Sequence, residues 1–193
     1  MKLNTTNIPI KEKFTVHVMA ISEFEEIMKK SNFTDENIEE VEGLAIISIT
    51  LRDEHYFKKN HANVLNIEFY DIEEDVEING CLYVPFSVEQ AKKLIDFIEL
   101  NQKKNFIIHC HAGISLSGAV AQFITDFYGW ADKSTFRFQY GKKIVPNTVV
   151  TKKLKEEWFR RHSKLDIQEY QDMLKKNDEK IINLNKEENG ENT

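Results

Sequence analysis

Short apolar runs alternate along this chain with amphipathic helix patterns, and that alternation predicts an α/β fold: a mainly parallel central sheet with helices on both faces. Two further observations support it. The run Leu44-Ala45-Ile46-Ile47-Ser48-Ile49 is apolar enough to be buried on both faces, as a parallel strand must be. A second run, Phe106-Ile107-Ile108, passes through a small-residue loop into a strong helix pattern, Ala119-Val120-Ala121-Gln122-Phe123-Ile124.

In chain order, residues 14–19 (Phe-Thr-Val-His-Val-Met) alternate in polarity and read as the first strand. Ser22 reads as the cap of a helix running to about Lys30, with Phe24, Ile27 and Met28 on its apolar side. Residues 44–49 form the second strand and 64–70 the third, followed by an acidic loop, Asp71-Ile72-Glu73-Glu74-Asp75. Ser87-Val88-Glu89-Gln90 is a capping box, the Gln placed to reach back to the cap. The helix it opens carries Ala91, Leu94, Ile95 and Ile98 at helical spacing and ends near Asn101. The central strand and helix follow, with Gly129 as the helix stop after Tyr128. Pro146-Asn147 introduces another helix with Val149, Val150, Leu154, Trp158 and Phe159 as its apolar positions. A last amphipathic helix is expected over 165–175, and residues 185–193 read as a disordered polar tail. The reading is one domain over 1–184.

Composition narrows the function. The net charge of −6 argues against nucleic-acid backbones as partner. The first seven residues lack the apolar core of a signal peptide, and nothing approaches a membrane-spanning length. Two cysteines make no disulfide framework and fit a reducing compartment, so a cytoplasmic protein is expected, without membrane contact. The skew of 22 lysines to four arginines, with many Ile and Asn, suggests an AT-rich bacterial or phage genome.

The most informative segment is His109-Cys110-His111-Ala112-Gly113-Ile114-Ser115-Leu116-Ser117-Gly118. A turn of this kind between strand and helix aims successive backbone N–H groups inward, and the helix adds its positive end, so it suits an anion. The same field favours a negative sulfur at Cys110. Cys81 is read instead as a buried, structural cysteine. A His-Cys-His metal site is excluded, because neighbouring residues on a tight loop seldom converge on one ion and no further ligand cluster accompanies them. No cofactor is expected.

These ten residues resemble the signature of the cysteine-dependent protein phosphatases, closest to the compact bacterial and phage members of the tyrosine and dual-specificity group. That signature is His-Cys, five residues, Arg, then Ser or Thr; here Leu116 stands at the arginine position. The resemblance runs from about Ile46 to Leu154, taking in the acidic loop, the capped helix and the later Pro-Asn. It implies Cys110 as nucleophile, Ser117 as the hydroxyl that stabilises the leaving thiolate, and Asp71 as general acid, with Asp75 as substitute. The same acidic run reads equally as a solvated loop. His109 is expected to support the loop by hydrogen bonding. His111, Ala112, Gly113, Ile114, Ser115 and Leu116 are expected to line the ligand, with Gly113 turning tightly against it.

Leucine cannot supply the fork of donors that a guanidinium gives a phosphoryl group. Arg137, Lys142 and Lys143 are the candidates for a replacement charge. The expectation is a catalytically impaired protein that binds a phosphorylated small molecule or phosphoprotein. An active but slow phosphatase, and an interaction module with a vestigial pocket, stay open beside it.

Overall fold

The computed structural model describes residues 11–51, 54–132, 138–139 and 142–162. The expected helix over 165–175 and the tail over 185–193 lie outside them. The chain divides into two compact units, Met1–Lys155 and Glu156–Thr193. All elements of the site lie in the first. Of the second, Glu156 to His162 is described, where Glu157 accepts hydrogen bonds from Arg160 and Arg161 at 2.6–2.7 Å.

The architecture is the α/β fold expected. Strands β1 (Lys11–Ala20), β2 (Leu44–Thr50), β3 (Val64–Glu68), β6 (Asn105–Cys110) and β7 (Trp130–Asp132) form one sheet in the order β3-β2-β6-β1-β7. Every pairing in it is parallel. Two short antiparallel pairs stand apart: β4 (Val76–Ile78) with β5 (Cys81–Tyr83), and β8 (Phe138–Gln139) with β9 (Lys142–Lys143). The helices are α1 (Ile21–Lys30), α2 (Val88–Leu100), α3 (Leu116–Tyr128) and α4 (Thr148–His162).

Side chains alternate across a strand, so each strand feeds two cores. On one face, Phe24 and Met28 of α1 bury against Met19, Ile46 and Val64, joined by Ile38 and Phe57. On the other, the Phe97 ring of α2 meets Phe106 edge-on at 6.4 Å. Cys110 has the same parity as Phe106 and faces that second side. The chain leaves β2 toward β3 and leaves β6 in the opposite direction, toward β7. Ligands of open parallel sheets sit beyond the strand ends at such a reversal, and Cys110 ends β6 there.

Local signals explain most boundaries. The capping box forms as expected: Ser87 Oγ accepts from the Gln90 amide at 3.1 Å and Gln90 Oε1 from the Ser87 amide at 2.7 Å. Gly129 ends α3 in the left-handed conformation at φ 69°. Ser22, by contrast, does not cap α1. The N-cap is Ala20 without a side-chain bond, and the Ile21 amide donates to the His111 carbonyl at 3.4 Å. A loop from elsewhere in the fold does the capping. The third strand ends at Glu68, two residues early, and the β4–β5 hairpin occupies a stretch read as irregular. Cys81 is exposed on that hairpin, not buried; its strand belongs to a ribbon outside the main sheet.

His109 makes no loop-supporting hydrogen bond. Its ring is fully buried and stacks on Phe24 at 4.0 Å, and neither ring nitrogen has a hydrogen-bond partner. Burial, and then repulsion from His55, lower it from 6.5 to about 3. The folded chain therefore keeps this ring neutral where the unfolded chain protonates it. Its stability contribution is whole above 6.5 and is lost as pH falls toward about 3. Between pH 7 and 5, denaturant unfolding is expected to show a loss approaching about 1.4 kcal/mol per pH unit below the unfolded value. His109→Phe, which keeps the stack, is expected to flatten that slope; identical slopes in the two proteins would contradict a neutral His109.

Candidate functional site

Cys110 ends the central strand and is 5% exposed. Its sulfur lies 3.0 Å from Oγ of Ser117, a fully buried hydroxyl in the first turn of α3. Strand, turn and helix thus fold back far enough to bring residues seven apart into contact. Among the described residues, nothing accepts the amide protons of residues 112–118. Part of this is the ordinary state of a helix start, whose first amides have no partner within the helix. The usual remedy is a side-chain cap, and Ser115, the N-cap residue, does not provide one. Its hydroxyl donates to Asp71 Oδ1 instead, at 3.1 Å. The amides and the positive helix end therefore remain available to an anion.

Asp71 is drawn to this turn by two elements. Besides Ser115, the Asn147 side chain donates to the same Oδ1 at 2.6 Å. Asn147 is itself fixed: its Oδ1 accepts from the Val150 amide at 2.8 Å, in the manner of a helix cap, and its own amide donates to the Ser115 carbonyl at 3.2 Å. Both described bonds fall on Oδ1. Asp75 is exposed in the same segment, and among the described residues Ser115 and Asn147 engage Asp71 rather than Asp75. Sequence reasoning took Asn147 only as a helix opener. Its link to Asp71 spans 76 positions and has no local signature.

Of the other loop residues, His111 and Ala112 are exposed, Ile114 and Ser115 half-buried, and Leu116 buried. Gly113 turns tightly, but against the protein. Its φ is +67°, and a Cβ there would lie 2.6 Å from the Ala20 nitrogen and 2.6 Å from the Met19 carbonyl carbon. The end of β1 dictates this glycine. Gly118 has a similar constraint from outside the loop, since a Cβ would meet Ile144 Cγ2 at 2.6 Å. Ile144 thereby brings the segment before α4 close to the helix start. Arg137 lies outside the described residues, as do the side chains of Lys142 and Lys143. Among the described residues, no three or more His, Cys, Asp and Glu side chains converge as a metal site would need.

The Tyr70 and Tyr83 rings meet edge-on at 4.8 Å, and Tyr70 bridges to Pro85. Among the described residues no helix is long and apolar enough to cross a membrane.

No protein-family model matches the sequence, and no curated protein matches it. Among solved structures, one described as "Crystal structure of Tk-PTP in the active form" is similar at TM-score 0.33 and 17% identity, over 84% of this chain and 88% of that one. A likeness at that level assigns this chain neither a family nor an activity.

The close approach at residue 113 makes a direct expectation. Gly80 has φ +76° with nothing within 4 Å of a built Cβ, so alanine there meets only backbone strain. Gly80→Ala is expected to cost about 1–2 kcal/mol. Gly113→Ala adds overpacking against backbone that cannot rotate away, for a total of roughly 2–5 kcal/mol. Urea midpoints for the two variants give the comparison, and equal losses would mean that the turn does not press on β1.

Proposed function

We propose that the turn after Cys110 binds a phosphoryl group, on a scaffold of the cysteine-dependent phosphatase type, and that Leu116 makes the chain a binding protein more than an enzyme. The observation that carries this reading is the 3.0 Å contact between Cys110 Sγ and Ser117 Oγ. It sits at the mouth of a turn whose amides have no acceptor among the described residues. Backbone amides attract an anion without help from any side chain.

Chemistry needs more than binding. In this reading Cys110 attacks phosphorus, the leaving oxygen takes a proton from Asp71, and water later releases phosphate from the phosphocysteine. The Ser117 hydroxyl then steadies the departing sulfur. The missing part is the cation that spreads the charge of the transferring group. A fork of donors from arginine grips two phosphoryl oxygens, and leucine grips none.

The ligand is a nucleotide or a phosphotyrosine, having a phosphate and a flat apolar portion. Leu116, in the first turn of α3, favours that shape over a purely polar phosphate. In a cytoplasm, and on a phage genome, such a protein would serve by sequestering a phosphorylated host signal. A slow phosphatase is the second reading, favoured by the bonds that tie Asp71 to the turn through Ser115 and Asn147.

Hydrolysis of an aryl phosphate by wild type, Leu116→Arg and Cys110→Ser tests the reading. Leu116→Arg is expected to raise the rate on the order of 10²–10³, and Cys110→Ser to abolish what activity there is. A wild type already as fast as Leu116→Arg would establish the enzyme reading instead. No gain, together with no phosphotyrosine or nucleotide binding by calorimetry, would leave only an interaction module with a vestigial pocket.

A further inference from the structure

A cavity of about 360 Å³ opens at the other end of the strand order, beside the edge strand β3. It is bounded by the segment after β2, the second half of β3 and the start of α2. Two strand spacings, roughly 10 Å, separate β3 from the strand that carries Cys110. Asn66 and Glu68 share the parity of Val64 and so face the α1 side of the sheet, whereas Cys110 faces the other. This is a separate site.

Its charge runs against that of the chain. Three lysines, Lys58, Lys59 and Lys93, line it against one carboxylate, Glu68, in a protein whose net charge is −6. The walls are fixed by hydrogen bonds. Asn66 Nδ2 donates to the Phe57 and Lys59 carbonyls at 2.7 and 3.3 Å, and Asn60 Oδ1 accepts the Asn66 amide at 2.6 Å. Lys58 Nζ donates to the His55 carbonyl at 2.7 Å, and Gln90 Nε2 to the Glu68 carbonyl at 2.6 Å. An ammonium has three donors, so Lys58 keeps two for a ligand. Binding would find these groups already ordered.

One group in this wall is acidic: the half-exposed Glu68 carboxylate, 3.6 Å from His55 Nε2. A carboxylate accepts hydrogen bonds and donates none, so beside the lysines it repels a bare phosphate dianion and welcomes a hydroxyl. Among the described lining residues the one ring is the buried imidazole of His55, whose Nδ1 lies 2.8 Å from Ser48 Oγ, so they offer no open flat face for a base to stack on.

We propose that this cavity binds a phosphorylated polyol, its phosphate on Lys58, Lys59 and Lys93 and its hydroxyls on Glu68. The volume falls in the range of small-molecule sites, about 300–1,000 Å³. The same chemistry is presented by a free inositol or sugar phosphate and by an inositol lipid headgroup. The site is independent of Cys110 and of the function proposed for it.

Backbone amide NMR of the full chain, titrated with myo-inositol monophosphate and separately with inorganic phosphate, tests this. Saturating shifts are expected at Lys59, Asn66, Ile67 and Lys93, with inorganic phosphate binding at least about tenfold more weakly. The double change Lys58→Gln with Lys93→Gln, both exposed, is expected to weaken the polyol phosphate by about tenfold or more at an unchanged melting temperature. Cys110→Ser should leave these shifts as they are. Sedimentation with phosphatidylcholine vesicles carrying phosphatidylinositol monophosphate assigns the source. Co-sedimentation lost in the lysine variant supports a lipid headgroup, and its absence beside binding of the soluble compound supports a free metabolite. No saturable shift at these amides, equal affinity for inorganic phosphate, or equal affinity in the lysine variant would each overturn the proposal. Shifts confined to residues 111–118 would overturn it too, while favouring the phosphoryl site at Cys110.

Discussion

The site depends on a close approach of two pieces of backbone. At Gly113 the turn leaving β6 passes so near the end of β1 that no side chain fits between them. A positive φ and a forbidden Cβ act at one residue, and only glycine meets both conditions. Because the turn is pinned there, the His111 carbonyl can accept the first amide of α1. Because it then reverses, α3 begins with Ser117 under the sulfur of Cys110. The geometry of the turn is thus a by-product of how tightly β6 returns over its neighbour.

Around that pin, three distant segments meet. The β1–α1 junction donates an amide to the turn, the loop after β3 brings Asp71 to Ser115, and the start of α4 brings Asn147 to both. Each bond is modest alone, on the order of 1 kcal/mol for neutral partners and more where a carboxylate accepts. Together they hold a carboxylate, a thiol and a set of amides without an acceptor among the described residues at one end of the sheet. Leu116, buried in the first turn of α3, offers no fork of donors there.

Much of this was legible in residues whose neighbours in sequence are also their partners in space. The capping box at Ser87, the stop at Gly129 and the Cys110–Ser117 turn all rest on contacts within a few positions. Ser22 misled because its helix is capped by a carbonyl ninety residues away, and tertiary contact overrode a good local signal. The hydrogen bond that the resemblance implies for His109 does not form, because parity puts its ring into the α1 core against Phe24. The β4–β5 hairpin carries a local signature of its own. Asn79-Gly80, both at positive φ, is the turn pair that a tight hairpin prefers, flanked by Ile78 and Cys81. The Asp71–Asn147 bond and the lysine cavity were not readable, since their members are scattered and their residue types are ordinary on a surface.

The central claim is that the amides of residues 112–118 hold a phosphoryl group. A crystal structure of Cys110→Ser grown with phosphotyrosine tests it most directly. The account predicts the phosphoryl oxygens within about 2.7–3.2 Å of those backbone nitrogens, with the aromatic ring toward Leu116. An empty turn at saturating phosphotyrosine, or a phosphate bound only elsewhere on the chain, would contradict it.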